Sequence, residues 1–148
     1  TPEQQNGLTV HPLSNAKVGA LRLFPGISAQ FVANVLRSPL QGLVLETYGM
    51  GNGPSNNTEL MDVLAEATAR GVVIVNCTQC VRGTVDQMGY QAGSALARCG
   101  VVSGADMTAE AALTKMIYLF SLELSPEEIR IHMTQNLRGE LTEPDDRA

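Results

Sequence analysis

The 148-residue chain has little of what most catalytic or anchoring devices require. There are two histidines, His11 and His132, far apart in sequence. That is poor material for a metal centre or a histidine-based triad, so neither a metal nor another cofactor is expected. Cysteine is also scarce: Cys77, Cys80 and Cys99 make an odd count, which does not describe a disulfide framework and fits a reducing cytoplasm. Positive charge is in deficit, with ten Lys and Arg against fifteen Asp and Glu. A net charge of −5 disfavours nucleic acid, because phosphate recognition needs a basic surface. No apolar run reaches the roughly 20 residues that span a bilayer, and the first residues lack the basic-then-apolar order of a secretory signal, which a mature chain would in any case have lost.

What is present is ordinary for a globular domain: 44% apolar and 17% charged residues, enough chain for one core. Residues 1–17 are polar, carry Pro2 and Pro12, show no period, and are expected to be a lead-in or linker. Residues 18–26, an apolar run stopped by Pro25-Gly26, predict a strand and a turn. Ser28 can cap a helix on which Phe31, Val32, Val35 and Leu36 share helical spacing. A second strand is expected over 40–48. Thr58 can cap a helix lined by Leu60, Met61, Leu64 and Ala67, with Gly71 just past its end. The β-branched run at 72–76 predicts a strand buried on both faces. An irregular stretch over 77–88, a small-residue helix over 90–97 and a brief strand at 101–102 follow. Thr108 is positioned to cap a long apolar helix ending near Leu122. Ser125-Pro126-Glu127-Glu128 has the cap, proline and acids of a helix start. Residues 143–148 are expected to be a disordered tail.

Alternating strands and helices imply an α/β fold: a small open parallel sheet of about four strands with helices on both faces, over 18–142. Ligands of such sheets bind beyond the carboxyl ends of the strands. One of those ends opens into "ETYGMGNGPSNN", Glu46 to Asn57, with three glycines, a proline and three asparagines. The run does not match a dinucleotide fingerprint and has no Walker lysine. It is either a plain strand-to-helix connection or a loop shaped for a small polar ligand. Asn52, between two glycines, can both donate and accept hydrogen bonds. Cys77 and Cys80 have C-x-x-C spacing; a redox pair would need an activated thiol, and the plainer expectation is small buried side chains. Thr78 and Cys80 nevertheless stand just past a buried strand, where ligand contacts are made. His132 is expected on a partly exposed helix face, and 116–120 in the core. From the residues alone the domain is a binding module or half of an enzyme, with no complete catalytic set.

The motifs "LRLFPGIS", "ETYGMGNGP", "VIVNCTQC", "SGADMTAEAALTKM" and "NLRGELT", in this order and spacing, resemble the C-terminal domain of type I (cytoplasmic) L-asparaginases from Leu21 to Thr142. The resemblance implies hydrolysis of L-asparagine to L-aspartate and ammonia, with the nucleophilic threonines on an N-terminal domain whose motifs do not occur here. It implies a homodimer or homotetramer in which the glycine-asparagine loop completes a neighbouring subunit's active site. Asn52, and with it Tyr90, would contact substrate there. Some bacterial members bind a second asparagine at a regulatory site in this domain; Cys80 matches one of its positions, and Thr78 and Glu46 are assigned to the same site with it. The arginine of that site is replaced by Glu46, which reverses the charge offered to a carboxylate. The other expectation is a stand-alone amino-acid-binding or regulatory module without catalysis.

Overall fold

The computed structural model describes residues 10–49, 51, 53–54, 56–80, 85 and 91–142. The first half of the lead-in and the 143–148 tail lie outside the described residues. The elements in chain order are β1 (Val18–Arg22), α1 (Ala29–Val35), β2 (Gly42–Thr47), α2 (Thr58–Ala69), β3 (Val73–Thr78), α3 (Gln91–Arg98), β4 (Val102–Ser103), α4 (Ala109–Phe120) and α5 (Pro126–Met133). The strands form one parallel sheet in sequence order, β1-β2-β3-β4. Right-handed crossovers between strands laid down in one direction send every crossover helix to the same face. Helices α1, α2 and α3 therefore share one face, and α4 and α5, which follow the last strand, cover the other. This is the open four-stranded α/β sheet that the alternation of elements implies.

Strand alternation divides the apolar residues between two cores. Leu43, Leu45 and Ile74 enter the α1–α2 side with Val32, Leu36, Leu60 and Leu64. Val44, Val73, Val75 and Cys77 enter the α4–α5 side with Met116, Leu119, Ile129 and Met133. All six residues of β3 are buried, as a strand covered on both faces must be.

Three local expectations are corrected. Strand β3 continues to Thr78, past the expected end at 76, because its ladder with β2 runs on to the Thr47–Thr78 pair. Asn57, not Thr58, caps α2: its Oδ1 accepts from the Leu60 N–H at 3.0 Å, one position earlier than the hydroxyl could. Phe31 does not share the core face of α1. Ala29, Val32 and Leu36 form that stripe, and Phe31, about 100° round the helix, is 46% exposed. Ser28, Thr108 and Ser125 cap as expected, the last in a reciprocal box with Glu128. Residues 10–17 lie along α4, where the Ser14 N–H donates to Ser121 Oγ at 3.0 Å and the His11 ring meets Tyr118 edge-on.

A buried cation ties the C-terminal segment to α4. Lys115, on the inner face of α4, extends its ammonium to the carbonyls of Met133 and Gln135 and pairs with Glu140 Oε1 at 2.6 Å. The Glu140 carboxylate also accepts from the N–H groups of Leu137 (3.0 Å) and Arg138 (2.6 Å). Burial alone would raise the Glu140 pKa, but Lys115 and these amides outweigh it and pull the carboxyl down to about 2.

Lys115→Met should lower stability by about 3 kcal/mol in urea unfolding, because it strips a partner from a buried ion pair. The acid dependence has a definite sign. Glu140 binds its proton less readily in the folded chain, so its contribution is full above the ordinary value of 4.5 and disappears as pH falls towards about 2. The gap in urea midpoint between the parent chain and Glu140→Gln should therefore be wide at pH 7 and narrower at pH 3.

Candidate functional site

At the carboxyl edge of the sheet, the chain leaves β1, β2 and β3 within a small area, and polar side chains join the three exits. Gln79, directly after β3, donates from Nε2 to the carbonyls of Leu23 (2.7 Å) and Glu46 (3.0 Å), while its own N–H donates to Thr47 O at 2.9 Å. One carboxamide thus links the exits of β1 and β2 to the exit of β3.

A second network lies beneath the glycine loop. Thr47 and Asn76 are fully buried, on the α1–α2 face at the ends of β2 and β3. Thr47 Oγ1 donates to Asn76 Oδ1 at 2.6 Å, and Asn76 Nδ2 donates to Gly51 O at 3.1 Å. A carbonyl oxygen can only accept, so Gly51 fixes which way the Asn76 amide faces. Thr78 Oγ1 donates to Gly49 O and accepts from the Cys80 N–H at 3.0 Å. The carbonyls of Gly49 and Gly51 are therefore both held from the end of β3. Gly51 adopts φ +96°, open to glycine, and a Cβ there would lie 2.6 Å from Val85 Cγ1. A Cβ on Gly53 would lie 3.3 Å from Leu96 Cδ1, so the chain packs closely against the core there too.

Beside this loop a cleft of about 610 Å³ opens between the β1–α1 turn and the start of α2. Phe24, Pro25 and Ile27 form one wall; Tyr48, Pro54, Asn57 and Glu59 form the other. Its wall combines rings and aliphatic groups with amide and carboxylate groups, a lining suited to a small polar molecule. A hollow of similar size, about 600 Å³, lies at the opposite end of the sheet, bordered by Thr68, Cys99 and Arg130. There the Arg130 guanidinium donates to the carbonyls of Thr68 (2.7 Å) and Val72 (3.2 Å), which employs it in capping α2.

The sequence-derived candidates are not all brought together. Asn52 and Tyr90 lie outside the described residues. Thr78 and Cys80 are joined through the Thr78 hydroxyl. Glu46 stands on the other face of the sheet, in the register of Cys77, and pairs with Arg22 on the adjacent strand at 2.7 Å. The negative charge at position 46 is thus matched by a cation from β1. Of the C-x-x-C pair, Cys77 is buried, as the plain reading expects, whereas Cys80 is exposed; both are free. Burial, with the carboxylates of Glu46 and Glu110, pushes the Cys77 thiol up to about 12, which keeps it protonated and unreactive. Sequence reasoning missed Thr47, Asn76 and Gln79. A signal existed: a polar residue at the end of a doubly buried strand must find a hydrogen-bond partner.

Comparison with known proteins gives a consistent result. The family model described as Glutaminase/Asparaginase C-terminal domain matches residues 17–133. The chain is 52% identical over 145 residues to L-asparaginase 1 of Escherichia coli, covering 98% of this chain and 42% of that protein. It is 49% identical over 139 residues to the human 60 kDa lysophospholipase, covering 93% of this chain and 24% of that one. Among solved structures, L-asparaginase I from Vibrio cholerae superposes with a TM-score of 0.86 at 46% identity, covering 93% of this chain and 41% of its own. The chain thus spans well under half the length of these relatives.

The cysteine environments predict an order of reactivity. In the native state a soluble thiol reagent should modify Cys80 first, while Cys77 and Cys99, buried and with raised pKa values, react only on unfolding. Peptide mass mapping after brief labelling at pH 8 checks this, and early modification of Cys77 would contradict it.

Proposed function

Because the chain belongs to the glutaminase/asparaginase C-terminal domain family, we propose that it is the C-terminal domain of an L-asparaginase, an amidohydrolase converting L-asparagine to L-aspartate and ammonia. The observation that carries this reading is the 52% identity with L-asparaginase 1 over 98% of this chain, which takes in the whole sheet and the glycine loop. Amide hydrolysis requires an activated hydroxyl and an oxyanion pocket. In this reading both are supplied by an N-terminal catalytic domain, reached through residues 1–17, and this domain by itself is inactive. Its own task is to fix the substrate's ammonium and carboxylate, which lowers the barrier by orientation. Asn52, with an amide that donates and accepts, makes that contact, and Tyr90 borders it.

The loop serves the active site of a neighbouring subunit in a homodimer or homotetramer. Exposed Phe24 (51%) and Phe31 (46%), both at the β1–α1 corner, offer apolar surface for such an assembly. The free cysteines suit a cytoplasmic enzyme. The regulatory asparagine site, with Thr78, Cys80 and Glu46, is the part of this reading that the charge at position 46 opposes. Glu46 offers no positive charge to a ligand carboxylate, and the nearby cation Arg22 is held in its ion pair.

Ammonia release should require both halves: the chain alone is inactive on asparagine, and supplying the N-terminal domain, fused or co-expressed, restores turnover. Continued inactivity of the joined protein would overturn the reading. In that active protein, Asn52→Ala should raise KM by about tenfold, the size expected for one lost polar contact to a charged substrate group. Rate against asparagine concentration should be hyperbolic, and a sigmoidal curve would restore the regulatory site.

A further inference from the structure

We propose that Asn76 is a positioning residue for substrate binding: its buried carboxamide fixes Gly51, the residue before Asn52 in the chain. The inference rests on the reading of Asn52 given above and extends it to side chains that never meet substrate. Asn76 is fully buried in the second half of a strand whose other inward positions are mostly apolar. An unpartnered amide there would be costly, so its hydrogen bonds are obligatory. Oδ1 accepts from Thr47 Oγ1 at 2.6 Å and Nδ2 donates to Gly51 O at 3.1 Å. The backbone of Asn76 is fixed as well, because its carbonyl accepts from the Gly104 N–H at 2.8 Å.

The direction of the bonds matters. Gly51 O, which can only accept, sets which way the amide faces; Thr47 anchors its Oδ1 end, the amide holds Gly51, and the Gly51 N–H donates back to Tyr48 O at 3.0 Å. On the other side of Met50, Gly49 O accepts from Thr78. The end of β3 therefore grips the loop at two carbonyls. Glycine gives the loop its turn, but glycine is also the residue with the most freedom to lose. A glycine-rich loop that must present a side chain in one place needs an external constraint, and Asn76 supplies it. A structural brace alone would alter stability. A positioning residue alters KM.

The test uses the chain joined to its catalytic domain, with kinetics on asparagine and a thermal midpoint for each variant. Asn76→Leu keeps the branched outline and heavy-atom count, at a larger volume, and removes both side-chain bonds. Thr47→Val removes the hydroxyl that anchors Asn76 Oδ1, and Thr47→Ser restores it. Asn76→Leu and Thr47→Val should raise KM about tenfold with kcat within about twofold, and Thr47→Ser should return KM to the parent value. If Asn76→Leu does not fold, the Thr47 pair decides. Folded variants with parental KM, beside an Asn52→Ala variant whose KM has risen, would overturn the positioning role and leave the proposed function standing. Parental KM for Asn52→Ala would remove the loop's role itself, and the positioning role with it.

Discussion

A strand covered on both faces has nowhere to place a polar group except against neighbouring backbone, and the fold is arranged around that constraint in β3. Its first three residues are purely apolar and fill both cores. From Asn76 onward it also carries an amide and a hydroxyl that the interior admits only when satisfied, while the Cys77 thiol packs as a small apolar group. Each of the two polar side chains finds backbone at the β2 exit. Asn76 and Thr78 thereby convert the end of a buried strand into a support for the loop above it. Burial and loop support are linked at this point because the desolvation that makes the bonds obligatory also makes them rigid.

The sheet order reinforces this arrangement. With strands laid down in sequence order, all three crossovers leave from one edge towards one face. The β1–α1 turn, the glycine loop and the segment after β3 are consequently neighbours. Gln79 exploits that proximity by binding carbonyls from two strands at once. Helices α4 and α5 seal the opposite face without intruding on the loop edge, and the Lys115–Glu140 pair fastens the chain's end there. Stability of the C-terminal segment and construction of the site are thus assigned to different sides of the sheet.

Glu46 shows how a carboxylate near the end of a buried strand is matched. A carboxylate at the end of β2 faces neither the glycine loop nor the Thr78–Cys80 turn. It pairs with Arg22 across the β1–β2 register, a cross-strand pair of opposite charge on one face. The pair is half in solvent, since the Arg22 side chain is 63% exposed, so it contributes little to stability. Its consequence is electrostatic: the charge at position 46 is balanced locally by the Arg22 guanidinium.

Much of the architecture was legible in the chain itself. The apolar run at 72–76, the caps at Ser28, Thr108 and Ser125, and the regular alternation of strand and helix determined a parallel α/β sheet, because those signals are local and their physics is short-range. Ordered motifs determined the family. The chain could not show that Asn57 rather than Thr58 caps α2, since both residues have the chemistry and only the backbone angle chooses. Nor could it show that Phe31 turns outward while Val32 turns in, because one helical turn presents a narrow stripe to a sheet whose position is not local information. Above all, it did not reveal the Thr47–Asn76–Gly51 relay. Those residues are distant in sequence, their types are common, and their role exists only because the β2–β3 register brings Thr47 beside Thr78 and Asn76 beneath the loop. Periodicity reports which face is buried; only the tertiary register decides which polar atoms meet there.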